Sequence, residues 1–280
     1  MDNDLELSIS QVIKKYGLLS DKRYSKSLGQ NFLTDSTLLD RIARQALPFN
    51  GEDIVEIGPG PCGLTRSILH IFPRTNIFCI EKDCHLKELH NNLKAHLGYR
   101  LNFIYKDAIN VNLKDITKNR VIIIANLPYN VGTQLLVNWL HEIDKIERMV
   151  IMLQEEVVDR ICAKTGTKDY GRLSIISQLQ CNVEKLFVVS KKAFTPSPKV
   201  ESAIVKLTPK TSRLQNLTKL EKLTSVCFQH RRKTILNILK KYYKNCEEVL
   251  TSCAIDFKSR PEVIHPELFD ILSQKLITTE

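Results

Sequence analysis

Several features that define other protein classes are scarce or missing in this chain. Its eight cysteines form no C-x-x-C pair, so no metal site is predicted, and the cysteines are expected to be reduced thiols. No apolar run reaches the length needed to cross a membrane. No internal repeat or low-complexity tract is present. These absences favour an ordinary globular protein and turn attention to charge and motifs.

Positive charge predominates in the sequence. The 280 residues include 41 Lys and Arg against 31 Asp and Glu, which gives a net charge of +10. A basic protein is expected to have an anionic partner, either nucleic acid or a membrane surface. Asp2, Asp4 and Glu6 are atypical of a secretory signal or a transit peptide, so a cytoplasmic location is expected.

Hydrophobic patterning predicts how the chain is organised. Short apolar strands alternate with helices through most of residues 26–208, which predicts an α/β domain with a doubly wound, Rossmann-like sheet. Residues 1–25 are polar and are expected to form a flexible N-terminal segment. Residues 209–280 contain no glycine and are expected to form a small all-helical domain.

A glycine-rich turn follows the first strand predicted in this domain. Gly58, Gly60 and Gly63 form a G-x-G-x-x-G pattern, and Glu81 ends the next strand. Such a turn lets the backbone approach a ligand closely, and an acid at the next strand end can bind ribose hydroxyls. The pattern fits a dinucleotide or S-adenosylmethionine. Glu56 favours S-adenosylmethionine, because a carboxylate beside the turn would repel a pyrophosphate.

A second motif follows the apolar run 121–125, which is predicted to be a buried parallel strand. Residues 126–129 would lie at the carboxyl end of that strand, where open α/β sheets bind ligands. Pro128 stiffens the turn, so the side-chain oxygen of Asn126 and the carbonyl of Leu127 can converge on one point. Tyr129 adds an aromatic face. Two acceptors and a flat ring suit the exocyclic amino group of a nucleobase.

An acidic residue also follows the strand predicted at 101–105. Asp107 stands at that strand end and could accept a hydrogen bond from the adenine amino group of a nucleoside cofactor. Three consecutive strands would then end in Gly58, Glu81 and Asp107, with Asn126 on the fourth. Such an arrangement is much less expected by chance than a single acidic turn residue.

The sharpest cluster of positive charge lies near the end of the chain. Residues 206–280 contain 14 Lys and Arg against 8 Asp and Glu. Arg231, Arg232 and Lys233 form the cluster, and they are predicted to share one helix with the lysines that follow. Beside a motif that handles a nucleobase, this cluster is expected to contact RNA phosphates.

These motifs resemble those of the small-subunit ribosomal RNA adenine N6,N6-dimethyltransferases, the KsgA/RsmA type. The resemblance runs from residue 26 almost to the end of the chain. Its most specific stretches are Gln-Asn-Phe-Leu at 30–33 and Phe-Thr-Pro-Ser-Pro-Lys-Val at 194–200. Further matching stretches lie at 56–60, 126–130, 153–160, 170–174 and 228–233. The chain departs from the family at Lys106, where a glycine is usual.

The resemblance implies a class I methyltransferase fold and S-adenosylmethionine as the cofactor. The implied reaction transfers methyl groups to the N6 amino groups of two adjacent adenines, in a hairpin loop near the 3′ end of small-subunit ribosomal RNA. This modification belongs to small-subunit biogenesis. The implied partner is therefore small-subunit RNA, with no membrane partner, and the protein is expected to be a monomer.

The resemblance also implies roles for individual residues. The implied cofactor-binding residues are Asn31, Leu33, Gly58, Gly60, Glu81, Asp107 and Asn126. The residues implied to act on the substrate adenine are Asn126, Leu127, Tyr129 and Phe194, of which the two aromatic residues would stack on the base.

Other interpretations remain open at this point. A close alternative is the macrolide-resistance type of enzyme, which dimethylates an adenine of large-subunit RNA. A second is a non-catalytic RNA-binding assembly or transcription factor of the same fold. A nicotinamide-dependent dehydrogenase is more remote, because Glu56 and the motif at 126–129 do not fit it. The glycine turn and the 194–202 segment favour the small-subunit enzyme.

Overall fold

The computed structural model describes residues 4–20, 31–211, 214 and 216–279. Residues 26–30 of the family-like start therefore lie outside the described residues, whereas Asn31 and Leu33 lie within them. The chain divides into two compact units. The first comprises Met1–Glu155 and Lys185–Thr208, and the second comprises Glu156–Glu184 and Pro209–Glu280.

Among the described residues, the larger of two β-sheets has seven strands in the order β4-β3-β2-β5-β6-β9-β7. Strands β2 to β6 are mutually parallel, and β9 is antiparallel to β6. A separate antiparallel pair joins β1 to β8. The strands are β1 (Phe32–Leu33), β2 (Asp53–Ile57), β3 (Ile77–Glu81), β4 (Leu101–Tyr105), β5 (Val121–Asn126), β6 (Ile146–Gln154), β7 (Cys181–Val189), β8 (Phe194–Thr195) and β9 (Ser202–Pro209). The predicted α/β class is confirmed.

The first two helices of the first unit precede β2, and the next three follow β2, β3 and β5, as the alternating pattern predicts. They are α1 (Ile9–Lys15), α2 (Ser36–Arg44), α3 (Gly63–Ile71), α4 (Lys87–Leu97) and α5 (Gly132–His141). The first five residues of β5 are fully buried, as expected for a central strand covered on both faces. All eight cysteines are free thiols, and five of them are buried. Among the described residues, no helix has the length and apolar content needed to cross a membrane.

The prediction of a flexible segment at 1–25 is wrong for residues 4–20. Ile9, Val12, Ile13 and Tyr16 are buried, and they recur at the spacing of one helical face. Asp4 is also buried, and its carboxylate accepts a hydrogen bond from the Tyr16 hydroxyl at 2.6 Å. The average polarity of this segment conceals the amphipathic helix within it.

The second unit is helical. Its helices are α6 (Glu155–Cys162), α7 (Arg172–Gln180), α8 (Leu217–Gln229), α9 (Ile235–Leu239), α10 (Cys246–Ser252) and α11 (Pro266–Lys275). The Phe228 ring lies edge-on to Tyr170 and at a tilt to Phe269, and the Tyr170 hydroxyl donates to the Ile264 carbonyl at 2.9 Å.

The boundary predicted between residues 208 and 209 coincides with one passage of the chain between the units. The structure also assigns residues 156–184 to the second unit, whereas the sequence pattern predicts them in the first. The reason is that α6 and α7 continue the strand–helix alternation in sequence. A helical pattern does not reveal the core into which a helix packs.

Candidate active site

A cleft in the first unit lies at the carboxyl ends of the parallel strands. The residues predicted to bind the cofactor or the base all line it: Asn31, Leu33, Gly58, Gly60, Glu81, Asp107, Asn126, Leu127, Tyr129 and Phe194. These residues come from separate places in the sequence. The strand ends bring them together, as expected for an open α/β sheet.

The glycine turn forms one wall of the cleft. Gly58 and Gly60 have φ values of +65° and +52°, in the left-handed region that glycine adopts without strain. No heavy atom lies within 4 Å of the place where a Cβ of Gly58 would stand. The Gly58 amide donates to the Ile80 carbonyl at 2.9 Å, which ties the turn to β3. The backbone here is therefore open to a ligand.

Glu81 lies at the end of β3 and is only 7% exposed. Its Oε2 accepts a hydrogen bond from the Gly60 amide at 3.2 Å, and its Oε1 accepts one from the Asp83 amide at 2.8 Å. Burial raises the pKa of the Glu81 carboxyl, an effect that these backbone donors oppose. The two hydrogen bonds fix the carboxyl group in the cleft. Each oxygen retains a second lone pair for a ligand hydroxyl.

Asp107 caps the short 3-10 helix at Ala108–Asn110. Its Oδ1 accepts from the Ile109 amide at 3.1 Å, and its Oδ2 pairs with the Lys82 ammonium at 2.8 Å. The hydrogen bond to Lys82 lowers the pKa of Asp107. Lys82 and Lys106 also line the cleft. The acid predicted to meet an adenine amino group is therefore ionised and held from both sides.

Asn126 is the last residue of β5, and its side chain is anchored across the cleft. Its Nδ2 donates to the Asn31 carbonyl at 3.3 Å. Because the nitrogen is the donor, Oδ1 is the accepting end of the amide. The turn that follows is closed by the Pro128 carbonyl, which accepts from the Gly132 amide at 3.0 Å. A Cβ on Gly132 would lie 2.4 Å from a Leu153 methyl carbon, so a larger residue there would force the Leu153 side chain to shift.

Two aromatic rings belong to the same part of the cleft. The Tyr129 hydroxyl is 2.7 Å from the Ser202 hydroxyl oxygen, a contact that orients the half-buried ring. Phe194 is 4% exposed, and it is the strand partner of Leu33 in the antiparallel pair of β8 and β1. This short antiparallel pair explains how two distant segments come to flank the cleft.

Glu56 is the fourth residue of β2, two residues before the glycine turn, and it contributes to the lining of the cleft although it is buried. Its carboxyl is 1% exposed and accepts a hydrogen bond from the Thr65 hydroxyl at 2.6 Å. Burial raises its pKa to about 7. This carboxyl is therefore not a permanent anion at neutral pH, so Glu56 disfavours a pyrophosphate less than the sequence predicts.

The basic cluster belongs to the second unit. Residues 231–233 lie in the turn between α8 and α9, so the prediction that they share a helix with the following lysines is wrong. The Arg231 guanidinium pairs with Glu262 at 2.9 Å and donates to the Thr167 carbonyl at 3.3 Å. Arg232 and Lys233 are exposed. Arg231 thus has a structural partner, whereas its two neighbours face solvent.

Two residues that contact the predicted site residues, Lys82 and Ser202, are not indicated by the sequence motifs. Lys82 follows Glu81 directly and forms an ion pair with Asp107. Its position next to a strand-end acid is the one sequence signal that could have indicated a role for Lys82 in the site. Ser202 contacts Tyr129 from 73 residues away, and no local pattern reveals that contact.

The chain is similar to proteins of one known family. Residues 21–270 match the family described as ribosomal RNA adenine dimethylase. The chain belongs to this family. Two curated members, both named ribosomal RNA small subunit methyltransferase A, are 40% identical to it. The protein of Rhodospirillum rubrum aligns with 95% of this chain and 91% of its own length, and that of Paramagnetospirillum magneticum with 96% and 94%.

Solved structures agree with this assignment to the adenine dimethylase family. A dimethyladenosine transferase from Plasmodium falciparum superposes with a TM-score of 0.73 at 27% identity, covering 87% of this chain and 96% of its own. The 23S rRNA methyltransferase ErmE superposes with a TM-score of 0.65 at 25% identity, covering 88% and 99%. The predicted family and the class I methyltransferase fold are both confirmed.

Proposed function

We propose that this adenine dimethylase uses S-adenosylmethionine to dimethylate N6 of two adjacent adenines, in a hairpin loop near the 3′ end of small-subunit ribosomal RNA. Both curated relatives are named for the small subunit, which favours that RNA over the large-subunit alternative. The observation that carries the proposal is the anchored amide of Asn126. The Nδ2 group of Asn126 donates a hydrogen bond to the Asn31 carbonyl, so Oδ1 of Asn126 can accept a hydrogen bond in the cleft.

The anchored amide matters because adenine N6 is a poor nucleophile, its lone pair being delocalised into the ring. Asn126 Oδ1 and the Leu127 carbonyl can accept the two N–H bonds of the amino group. Acceptance localises the lone pair on nitrogen, and the same oxygens stabilise the positive charge that develops during methyl transfer. No residue has to remove a proton before the attack. The fixed geometry supplies proximity as well.

The target adenine must leave its stack to enter the cleft, which costs a few kcal/mol. Tyr129 and Phe194 can offset this cost, because stacking on an aromatic side chain contributes about 1–3 kcal/mol per base. The Ser202 contact holds the Tyr129 ring in place before the base arrives.

The other end of the cleft has the donor and acceptor set that S-adenosylmethionine requires. Glu81 offers carboxylate oxygens for the ribose hydroxyls, Asp107 offers an acceptor for the adenine amino group, and Gly58 gives open backbone. Asn31 and Leu33 would cover the bound molecule. When bound, this cofactor supplies the electrophilic methyl group.

Exposed cations in the second unit are proposed to contact the RNA backbone. Arg232 and Lys233 have the charge and exposure that phosphate binding needs. Contacts from these residues to phosphates would position the RNA without discriminating between base sequences. Arg231 is assigned a supporting role, because Glu262 already pairs with it.

The proposal is tested by supplying labelled S-adenosylmethionine with purified small or large ribosomal subunits that lack the modification. We expect label on N6 of two adjacent adenines of the small-subunit RNA, with none on the large subunit. Label on a large-subunit adenine would support the macrolide-resistance type instead. Absence of label on both subunits, with S-adenosylmethionine binding intact, would contradict the proposed enzymatic activity.

A further inference from the structure

A buried histidine stands behind the glycine turn and has no part in the chemistry described above. His90 lies on α4 and is 0% exposed. Its Nε2 is 2.9 Å from the Gly60 carbonyl oxygen, and its Nδ1 is 2.9 Å from the Tyr105 hydroxyl. A carbonyl can only accept, so Nε2 carries the ring proton. Nδ1 then accepts a hydrogen bond from Tyr105.

The surroundings keep the ring of His90 in this neutral tautomer. Burial lowers the pKa of His90 to about 4, so the ring is uncharged at neutral pH. Burial raises the pKa of Tyr105, so its hydroxyl remains protonated and able to donate. Phe103 stacks on the imidazole with ring centroids 4.2 Å apart, which fixes the plane of the ring. The Nε2–H group therefore points at Gly60 in a defined direction.

The contacts continue from Gly60 to the cleft. While its carbonyl is held by His90, the Gly60 amide donates to Glu81 Oε2 at 3.2 Å. A single chain of hydrogen bonds thus joins β4, α4, the glycine turn and the end of β3. Gly58 has no side chain to pack and meets nothing on its open side, although the Phe32 ring lies against Gly60. The hydrogen bonds at the Gly60 carbonyl and amide therefore add to what holds the turn in place.

We propose that His90 is a positioning residue for cofactor binding. Its Nε2–H, directed by Tyr105, holds the Gly60 carbonyl, and the turn in turn sets the place of the Glu81 carboxylate. The inference rests on the proposed function, since it takes Gly60 and Glu81 to meet S-adenosylmethionine. His90 does not touch the ligand. It acts by holding the turn and the acid in their binding geometry before the ligand arrives.

The test measures the affinity of the full chain for S-adenosylhomocysteine by calorimetry, well below the unfolding temperature. His90→Leu fills the space but removes the imidazole donor of the Gly60 carbonyl, which keeps only the weak Cys62 thiol contact at 3.8 Å. We expect binding weaker by about five- to tenfold, the effect of one hydrogen bond. His90→Gln should recover most of the affinity, because its amide can donate to the same carbonyl. His96→Leu, an exposed histidine on the same helix, is the matched control and should bind as wild type.

Two further variants separate positioning from general stability. Tyr105→Phe removes only the hydroxyl that fixes the tautomer, and it should weaken binding even if His90→Leu fails to fold. In a Glu81→Ala background, His90→Leu should reduce the affinity for S-adenosylhomocysteine by a smaller factor than in wild type, because His90 is proposed to act by positioning Glu81. A structural role alone would lower the melting temperature and leave the affinity of the folded protein unchanged.

Wild-type affinity in both His90→Leu and Tyr105→Phe would overturn the inference. So would an equal cost of His90→Leu with and without Glu81. If Glu81→Ala weakens binding while the His90 and Tyr105 variants do not, only the inference fails and the proposed function stands. If the wild-type chain itself does not bind S-adenosylhomocysteine, the proposed function fails together with the inference.

Discussion

The two ends of the cleft are built differently. At the glycine-turn end, Glu81, Glu56 and His90 are almost completely buried and are joined to backbone or side chains by hydrogen bonds. At the end where the base is proposed to bind, Asn126 and Tyr129 are half-buried, and each is anchored by one polar contact. The polar groups around the glycine turn are thus fixed in advance, whereas Asn126 and Tyr129 remain partly accessible beside the buried Leu127 and Phe194.

This difference predicts two kinds of mutational effect. Changes at the end where the base is proposed to bind should alter the rate of methyl transfer, because the groups there are proposed to act on charge that develops in the transition state. Changes at the cofactor end should alter affinity and, for the most deeply buried groups, stability.

The largest effect is expected at Asn126. Asn126→Ala should lower turnover by about 10²–10³-fold, the loss typical of one preorganised hydrogen-bonding group. Its affinity for S-adenosylhomocysteine should fall much less, because Asn126 is proposed to act mainly on the substrate amino group. Single-turnover rates at saturating cofactor measure the first quantity, and calorimetry measures the second. The matched control is Asn91→Ala, an exposed asparagine on α4. Turnover at the wild-type rate would remove Asn126 from the chemistry.

At the opposite end, Glu81→Ala should act on binding. The carboxylate is proposed to accept hydrogen bonds from the ribose, and hydrogen bonds to a charged group contribute about 1.5–3 kcal/mol. Affinity for S-adenosylmethionine should fall accordingly, with RNA affinity preserved. Calorimetry with each ligand separates the two effects. An equal loss of RNA affinity would mean that Glu81 supports the whole domain rather than the cofactor site.

Much of this site could be predicted from the sequence, because it is built on short local patterns. Gly58, Glu81, Asp107 and Asn126 each stand at or just beyond a strand end, and parallel strand ends converge on one edge of the sheet. The contacts that cross between segments could not be predicted. The bond from Asn126 to Asn31 and that from Tyr129 to Ser202 join residues with no fixed spacing, and the helix within 4–20 is concealed by its average polarity.

A smaller effect is expected outside the cleft, in the turn between α8 and α9. Replacing Arg232 and Lys233 by alanine should reduce the salt dependence of RNA binding, with a slope smaller by about 0.7–0.9 for each phosphate that is no longer neutralised. Cofactor affinity should not change. Arg231→Ala should instead lower the melting temperature, since it removes the ion pair with Glu262. Affinity for a small-subunit RNA fragment across a salt series gives the slope. If the logarithm of RNA affinity falls with the logarithm of salt concentration at the same slope in the double variant and in wild type, these two charges belong to a solvated surface.

The smallest effect is expected at Glu56, and it depends on pH. Burial raises the pKa of this carboxyl from 4.5 to about 7, so the folded chain holds a proton that the unfolded chain releases between these values. Its contribution to the free energy of unfolding is therefore greatest below pH 4.5 and declines as the pH rises towards 7. Glu56→Gln keeps an oxygen for the Thr65 hydroxyl and cannot ionise. The variant should melt close to wild type at about pH 4.5 and several degrees higher at about pH 8, in the absence of ligand.

Glu88→Gln, which changes an exposed carboxyl on α4, serves as the control and should follow the wild-type curve. A constant difference between Glu56→Gln and wild type across this range would mean that Glu56 is ionised in the folded protein, and the cofactor end would then contain a permanent buried charge.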